Sequence, residues 1–253
     1  MTGNGVRFDR EGALGCITLD RPDVSNAVDL PTADAFGAAV AAASDEEIRA
    51  VLLQGSGKRF CAGGDVASMA AATNAAEYLL ELATVLERHL RRLSELDKPV
   101  VAVVQGAVAG AGLAFVLNSD IVIAAESTKF VMAYSGVGLT PDCGVSYLLP
   151  RAIGQQRALE LALTGRILTA AEARDWGLVT GVAADEAAGA RGRELAQRLA
   201  GEPTFALGQA KRLIRDSWGT SREDNARDEA RTISQAVTTT EARRLLNTFL
   251  HRA

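Results

Sequence analysis

Apolar residues along this chain fall into short blocks. Ala50 to Gln54, Val100 to Gln105 and Ile121 to Ala124 are continuous runs of strand length, bounded by charged residues, glycine or proline. Such unbroken runs predict strands covered on both faces, as in parallel sheets. Val6-Arg7-Phe8-Asp9 and Leu14-Gly15-Cys16-Ile17-Thr18-Leu19, joined across Gly12, predict an antiparallel hairpin. The stretches between these runs are alanine-rich and helical in pattern, notably Thr32 to Ala43 and Asn74 to Leu93. Strands alternating with helices at this spacing predict an α/β core.

After Val182 the strand pattern ends. Amphipathic helices are expected at 184–199, 205–217, 221–236 and 239–251, with Gly201-Glu202-Pro203-Thr204 as the clearest seam. Two regions are therefore expected: a core over residues 1–195 and a helical region over 196–253. The latter either folds back on its own core or joins copies of the chain.

Two glycine-rich turns stand out because each follows an apolar strand directly. One runs from Gly55 through Phe60-Cys61-Ala62-Gly63-Gly64-Asp65 to Val66, the other from Gln105 through Gly110-Ala111-Gly112 to Leu113, where a helix begins. Small residues let a ligand approach the backbone, and a helix start leaves N–H groups unpaired. Read alone, either turn is equally an ordinary surface loop. Gly55-Ser56-Gly57-Lys58 lacks the spacing and the Ser/Thr of a phosphate loop, since Arg59 follows Lys58. The second turn lacks the third small residue of a dinucleotide fingerprint, where bulky Phe115 stands.

In 253 residues, 23% charged with a net charge of −4, nothing indicates a nucleic-acid partner or a disordered polyelectrolyte. Three cysteines without ligand spacing point to a reducing compartment and to no metal. With no signal-like start and no run long enough for a membrane span, a cytoplasmic chain is expected.

Four blocks, in order, resemble the enoyl-CoA hydratase/isomerase (crotonase) superfamily: Arg21-Pro22 leading to Asn26-Ala27, Phe60 to Asp65, Gly106 to Asp120, and Gly165 to Leu178. The resemblance implies a crotonase-type spiral of ββα turns, with a C-terminal helical region forming a homotrimer or a dimer of trimers. It implies an acyl-CoA thioester as substrate, with coenzyme A carried by that substrate and no separate cofactor. It makes the N–H groups of Gly64 and Ala111 the oxyanion donors, and Val24, Ala62, Gly64, Asp65, Val66, Ala111 and Tyr134 the substrate-binding positions. Asp65 is expected to brace its turn.

The two glutamates that hydratases of this family use fall at Ala114 and Tyr134, so the hydratase pattern is broken. The candidate base is Asp142, after Pro141 and before Cys143-Gly144, a segment resembling 1,2-epoxyphenylacetyl-CoA isomerases and related enoyl-CoA isomerases. Taken by itself, an aspartate so placed is equally a turn or helix-capping residue. The leading reading is an isomerase that moves a double bond, or opens an epoxide, through an enolate. The alternatives are a hydratase with unusual water activation and a non-catalytic acyl-CoA binder. His89 and His251 are too isolated for a Ser-His-Asp hydrolase. Cys143 reads as a packing residue, and Lys58 and Arg59 as candidate phosphate partners.

Overall fold

A computed structural model describes residues 2–251. The predicted hairpin is present: β2 (Val6–Glu11) pairs antiparallel with β3 (Leu14–Leu19), and β1 (Thr2–Gly3) adds to its edge. From β3 onward the sheet is parallel, through β4 (Ala50–Gly55), β5 (Val100–Val104), β7 (Ile121–Ala125) and β10 (Gly181–Ala183). Both faces of this sheet are covered, which explains the unbroken apolar runs. Val51, Leu53, Ala102 and Val104 face a core shared with α1 (Leu30–Ala43) and α3 (Ala75–Ser94). Leu52, Val101 and Val103, one residue out of phase, face α8 (Asp185–Ala200).

A second, three-stranded layer comprises β6 (Ala107–Ala109), β8 (Lys129–Val131) and β9 (Ile167–Thr169). Single parallel bridges, Cys61 to Val108 and Val28 to Gly64, extend it. The chain therefore makes repeated passes: a strand in the large sheet, a short segment in the second layer, then a helix. β3, Val28 and α1 form one pass; β4, the Cys61–Gly64 turn, α2 (Val66–Ala71) and α3 form the next. β5, β6 and α4 (Ala111–Leu117) follow, then β7, β8, α5 (Val145–Ile153) and α6 (Gln155–Thr164). This is the expected spiral of strand, strand and helix. β9 is followed by α7 (Ala170–Trp176), which leads to β10.

The helices beyond β10 divide differently from the expectation. Ala188, Gly192, Ala196 and Ala200 form a buried stripe at four-residue spacing, so α8 lies flat on the sheet and crosses the 195/196 boundary. A methyl group on Gly192 would sit 2.1 Å from Val103 Cγ2. α9 (Thr204–Asp216) also docks on the core, where Lys211 pairs with Asp120 at 2.9 Å. α10 (Arg222–Ala236) buries only Thr232, and α11 (Thr240–Leu250) buries no residue. Among the described residues, no helix is long and apolar enough to cross a membrane.

Asn26 pins the spiral where the first passes meet. It is buried, and its Oδ1 accepts from the Arg21 N–H at 2.7 Å. Its Nδ2 donates to the carbonyls of Ser56 and Arg59 at 2.9 and 2.8 Å. One amide thus ties the loop after β3 to two carbonyls in the first half of the first glycine turn, which gives the Arg-Pro-x-x-x-Asn-Ala block a mechanical role. Asn26→Ala removes the partner of three part-buried backbone groups and is expected to destabilise the protein by roughly 1–3 kcal/mol. The midpoint of urea unfolding measures this, and a midpoint unchanged from the parent would refute the pinning role.

Candidate active site

The site is assembled where the two glycine turns meet. Cys61 N–H donates to Ala107 O at 3.3 Å, and Ala109 N–H donates to Cys61 O at 3.0 Å. This pairing carries the chain past itself at Gly63 (φ +108°) and Gly110 (φ +51°, ψ −118°). A side chain on Gly63 would meet Ala109 O at 3.2 Å, and one on Gly110 would meet Gly63 Cα at 3.5 Å. Both positions thus take a positive φ that suits glycine, and at Gly63 a close approach adds to that demand. Beneath them Phe115 of α4 packs edge-to-face against Phe36 and Phe60, with centroids 5.0 and 6.2 Å apart. The residue that spoiled the dinucleotide fingerprint is therefore the wedge that seats α4 against the first turn.

Ala111 is the first residue of α4, and its N–H lies at the open end of the helix. Among the hydrogen bonds of the described residues, neither Ala111 N–H nor Gly64 N–H has a protein acceptor. Both residues line one cavity of about 370 Å³. Ala62, Val66, Tyr134 and Asp142 line it too, so most of the sequence-predicted positions converge there. Asp65 and Val24 do not line it. Asp65 is buried and caps α2, its Oδ1 accepting from Ser68 N–H at 3.2 Å while Arg21 Nη2 donates to its Oδ2 at 3.0 Å. These bonds hold the Asp65 carboxyl below its ordinary range against the opposing effect of burial. Its bracing role is thus visible in its bonds. Val24 is about half exposed, in the short 3₁₀ turn after β3.

Ala114, one of the two positions where a hydratase glutamate was placed, is fully buried within α4 and does not line the cavity. Its methyl belongs to the core. Leu79, Leu80, Leu82 and Leu86 of α3 and Met69 of α2 supply much of the apolar wall instead. The amphipathic period of α3 identifies an apolar face, but not which part of that face meets open space.

Asp142 sits between Thr140 and α5 on a turn with two consecutive left-handed residues, Cys143 (φ +49°) and Gly144 (φ +75°). The N-cap of α5 is Gly144, with no side-chain cap, so Asp142 does not cap this helix. Among the described residues, the side-chain partner found for its carboxylate is Tyr134, whose hydroxyl donates to Oδ1 at 2.8 Å. Tyr134 is therefore more than a wall. Burial, reinforced by the Asp142 charge and hydrogen bond, holds its phenol far above the ordinary tyrosine range.

Asp142 is the only carboxylate among the described residues that line the cavity. A second one, missed in the sequence, lies behind it. Glu87 of α3 borders an outer cleft with Cys143 and Arg91, and burial raises its carboxyl while Arg91 opposes the shift and Asp142 adds to it. Its sequence context, an ordinary helical Glu, carries no signal. Cys143 is buried, and burial pushes its thiol well up, so it is no ready nucleophile. Its neighbour across the turn is Ala83 O, 3.9 Å from Sγ. His89 packs between α3 and Gly37 of α1, away from the cavity. Arg59 donates to Ser25 Oγ at 2.8 Å, and Lys58 is exposed.

Comparison with known proteins agrees with this geometry. A 1,2-epoxyphenylacetyl-CoA isomerase of Escherichia coli K12 is 41% identical over 211 residues, covering 81% of this chain and 79% of the isomerase. A trans-2-decenoyl-[acyl-carrier-protein] isomerase of Streptococcus mutans is 36% identical over 69% of this chain and 67% of its own length. The crystal structure of an enoyl-CoA hydratase from Polaromonas sp. JS666 superposes with a TM-score of 0.93 at 31% identity, covering 98% of this chain and 97% of that one. The sequence model for enoyl-CoA hydratase/isomerase matches residues 9–252. With its spiral of paired strands and helices and its two apposed glycine turns, this chain belongs to the enoyl-CoA hydratase/isomerase (crotonase) family.

Proposed function

We propose that this protein is an acyl-CoA isomerase that moves a double bond in an enoyl thioester. The observation that carries the reading is a single carboxylate, Asp142, in an apolar cavity that also holds two unpaired backbone N–H groups. In this reading the thioester oxygen lies between the amides of Gly64 and Ala111. Asp142 removes a proton from one carbon of the acyl chain, and the electron pair moves through the conjugated system onto the thioester oxygen. The dienolate then collapses as Asp142 returns the same proton two carbons away, so proton, charge and base are all restored. Each amide acts on the charge that develops in the transition state, and loss of one such donor costs roughly 3–4 kcal/mol in other enzymes.

Hydration asks for more: one group must deprotonate water while another delivers a proton to carbon. Asp142 alone lines the cavity as a carboxylate, and the tyrosine beside it stays protonated. Two relatives are isomerases, which supports the same assignment, while other relatives are described as probable hydratases. Coenzyme A enters as part of the substrate, with the apolar wall from α3 taking the acyl group.

The assembly we propose is a trimer or a dimer of trimers built through the helices beyond Val182. Ile214, Ile233, Phe249 and Leu250 stand largely exposed on α9, α10 and α11, more apolar surface than a lone subunit ordinarily leaves uncovered. Light scattering at micromolar protein is expected to give a trimeric or hexameric mass; monomer alone would overturn the assignment.

Asp142→Asn is expected to abolish isomerisation while leaving thioester binding and folding intact, because asparagine keeps the shape and cannot take the proton. The measurement is mass spectrometry and ultraviolet absorbance after incubation with trans-2- and cis-3-enoyl-CoA. Isomerisation leaves the mass unchanged while the double bond moves; hydration adds the mass of water. Parental turnover in the variant would sink the mechanism, and product carrying added water would replace it with hydration.

A further inference from the structure

We propose that Tyr134 is the positioning residue of this site: its phenol holds Oδ1 of Asp142, leaving Oδ2 as the oxygen that carries the proton. The inference rests on Asp142 being the base. A carboxylate on a turn rotates about two side-chain bonds, and the leucines around the cavity offer it no hydrogen bond. The 2.8 Å bond from Tyr134 fixes Oδ1, and the Cys143 thiol is the carboxylate's other side-chain neighbour.

The phenol is itself well rooted. Tyr134 O accepts from the N–H groups of Val137 and Leu139 at 3.1 and 3.0 Å, closing a turn that the left-handed Gly138 completes. Its ring carbon Cζ lies 3.9 Å from where a side chain on Gly110 would begin. The tyrosine therefore spans from the backbone next to Ala111 N–H to the carboxylate, fixing the base relative to a donor at the charge-bearing end. Suprafacial transfer between two carbons needs the base held at a constant height above the acyl chain, and misplacement of a reacting group by an ångström is costly. Because the phenol keeps its proton, it serves as a donor throughout the working pH range.

The groups facing Asp142 are Tyr134 by hydrogen bond, Cys143 beside it, and Glu87 from α3, itself facing Arg91. Cys143, Glu87 and Arg91 all remain in Tyr134→Phe, so a change in pH profile reports the phenol. With a short-chain cis-3-enoyl-CoA, that variant is expected to lose about tenfold or more in kcat while KM stays within about twofold. The acid limb of kcat/KM is expected to move toward higher pH, since the phenol donates to the ionised carboxylate and its removal takes that donor away. In the Asp142→Asn background, Tyr134→Phe should add no further loss, because its effect passes through the missing base. In case the phenylalanine variant folds poorly, 3-fluorotyrosine at position 134 alone gives a second readout: a stronger donor, expected to move the acid limb to lower pH. A parental kcat and pH profile in either substitution would overturn the positioning role. So would a further loss on top of Asp142→Asn, which would make the phenol a direct participant. Parental turnover in Asp142→Asn alone is a separate result, overturning the base assignment and this role with it.

Discussion

The site depends on one backbone contact, the short ladder by which the turn after β4 pairs with β6. Two hydrogen bonds at Cys61 bring Gly63 against Ala109 and Gly110. The approach tolerates little bulk: a methyl on Gly112 would lie 2.5 Å from Cys61 O. Everything above the ladder follows from it. The bridge between Val28 and Gly64 sets the first turn in the second layer, and the helix start at Ala111 is fixed by Gly110 N–H donating to Val131 O at 3.3 Å. Everything below supports it, with Asn26 clamping the turn's first half and Phe115 wedged between Phe36 and Phe60.

The arrangement divides labour between backbone and side chains. The large sheet and its two cores hold the turns, and the glycine turns present amides. Side chains from α3 and α2 shape the volume, while the 134–144 segment brings a phenol and a carboxylate to the far side. In that last segment left-handed Cys143 directly follows Asp142, as left-handed Ser25 and Asn26 stand in the loop after β3. A non-glycine residue in this conformation persists when its surroundings fix it, and such residues gather at functional sites. Here burial of Cys143 against α3 provides the fixing.

What was legible in the sequence was what local chemistry decides. Continuous apolar runs gave β4, β5 and β7, and Gly12 marked the hairpin, because burial and turn conformation write themselves directly into residue type. The glycine turns were legible for the same reason. What packing decides was not. α8 looked like one more amphipathic helix, yet its stripe of Ala188, Gly192, Ala196 and Ala200 is small-residue packing on a sheet, where close approach rather than bulk makes the contact. Ala114 falls where hydratases carry a glutamate, but a position in a short helix faces wherever the helix is rotated, and here it turns into the core. Asp142 was readable as a cap or as a base; the geometry at Gly144, the N-cap of α5, removes the first reading for that helix. Glu87 reaches the neighbourhood of Asp142 through tertiary packing of α3, which no spacing rule records.

The unpaired N–H groups at Gly64 and Ala111 belong to the main chain, which every residue except proline carries. A point substitution elsewhere removes a side chain; it cannot delete an amide. Such a pair can be lost only by bending the backbone, and the ladder resists that. Outside the glycines that the close approach requires, the side chains around the turns are therefore free to vary as long as the fold persists. Leucines of the cavity wall can change its volume while the two amides stay where the backbone holds them.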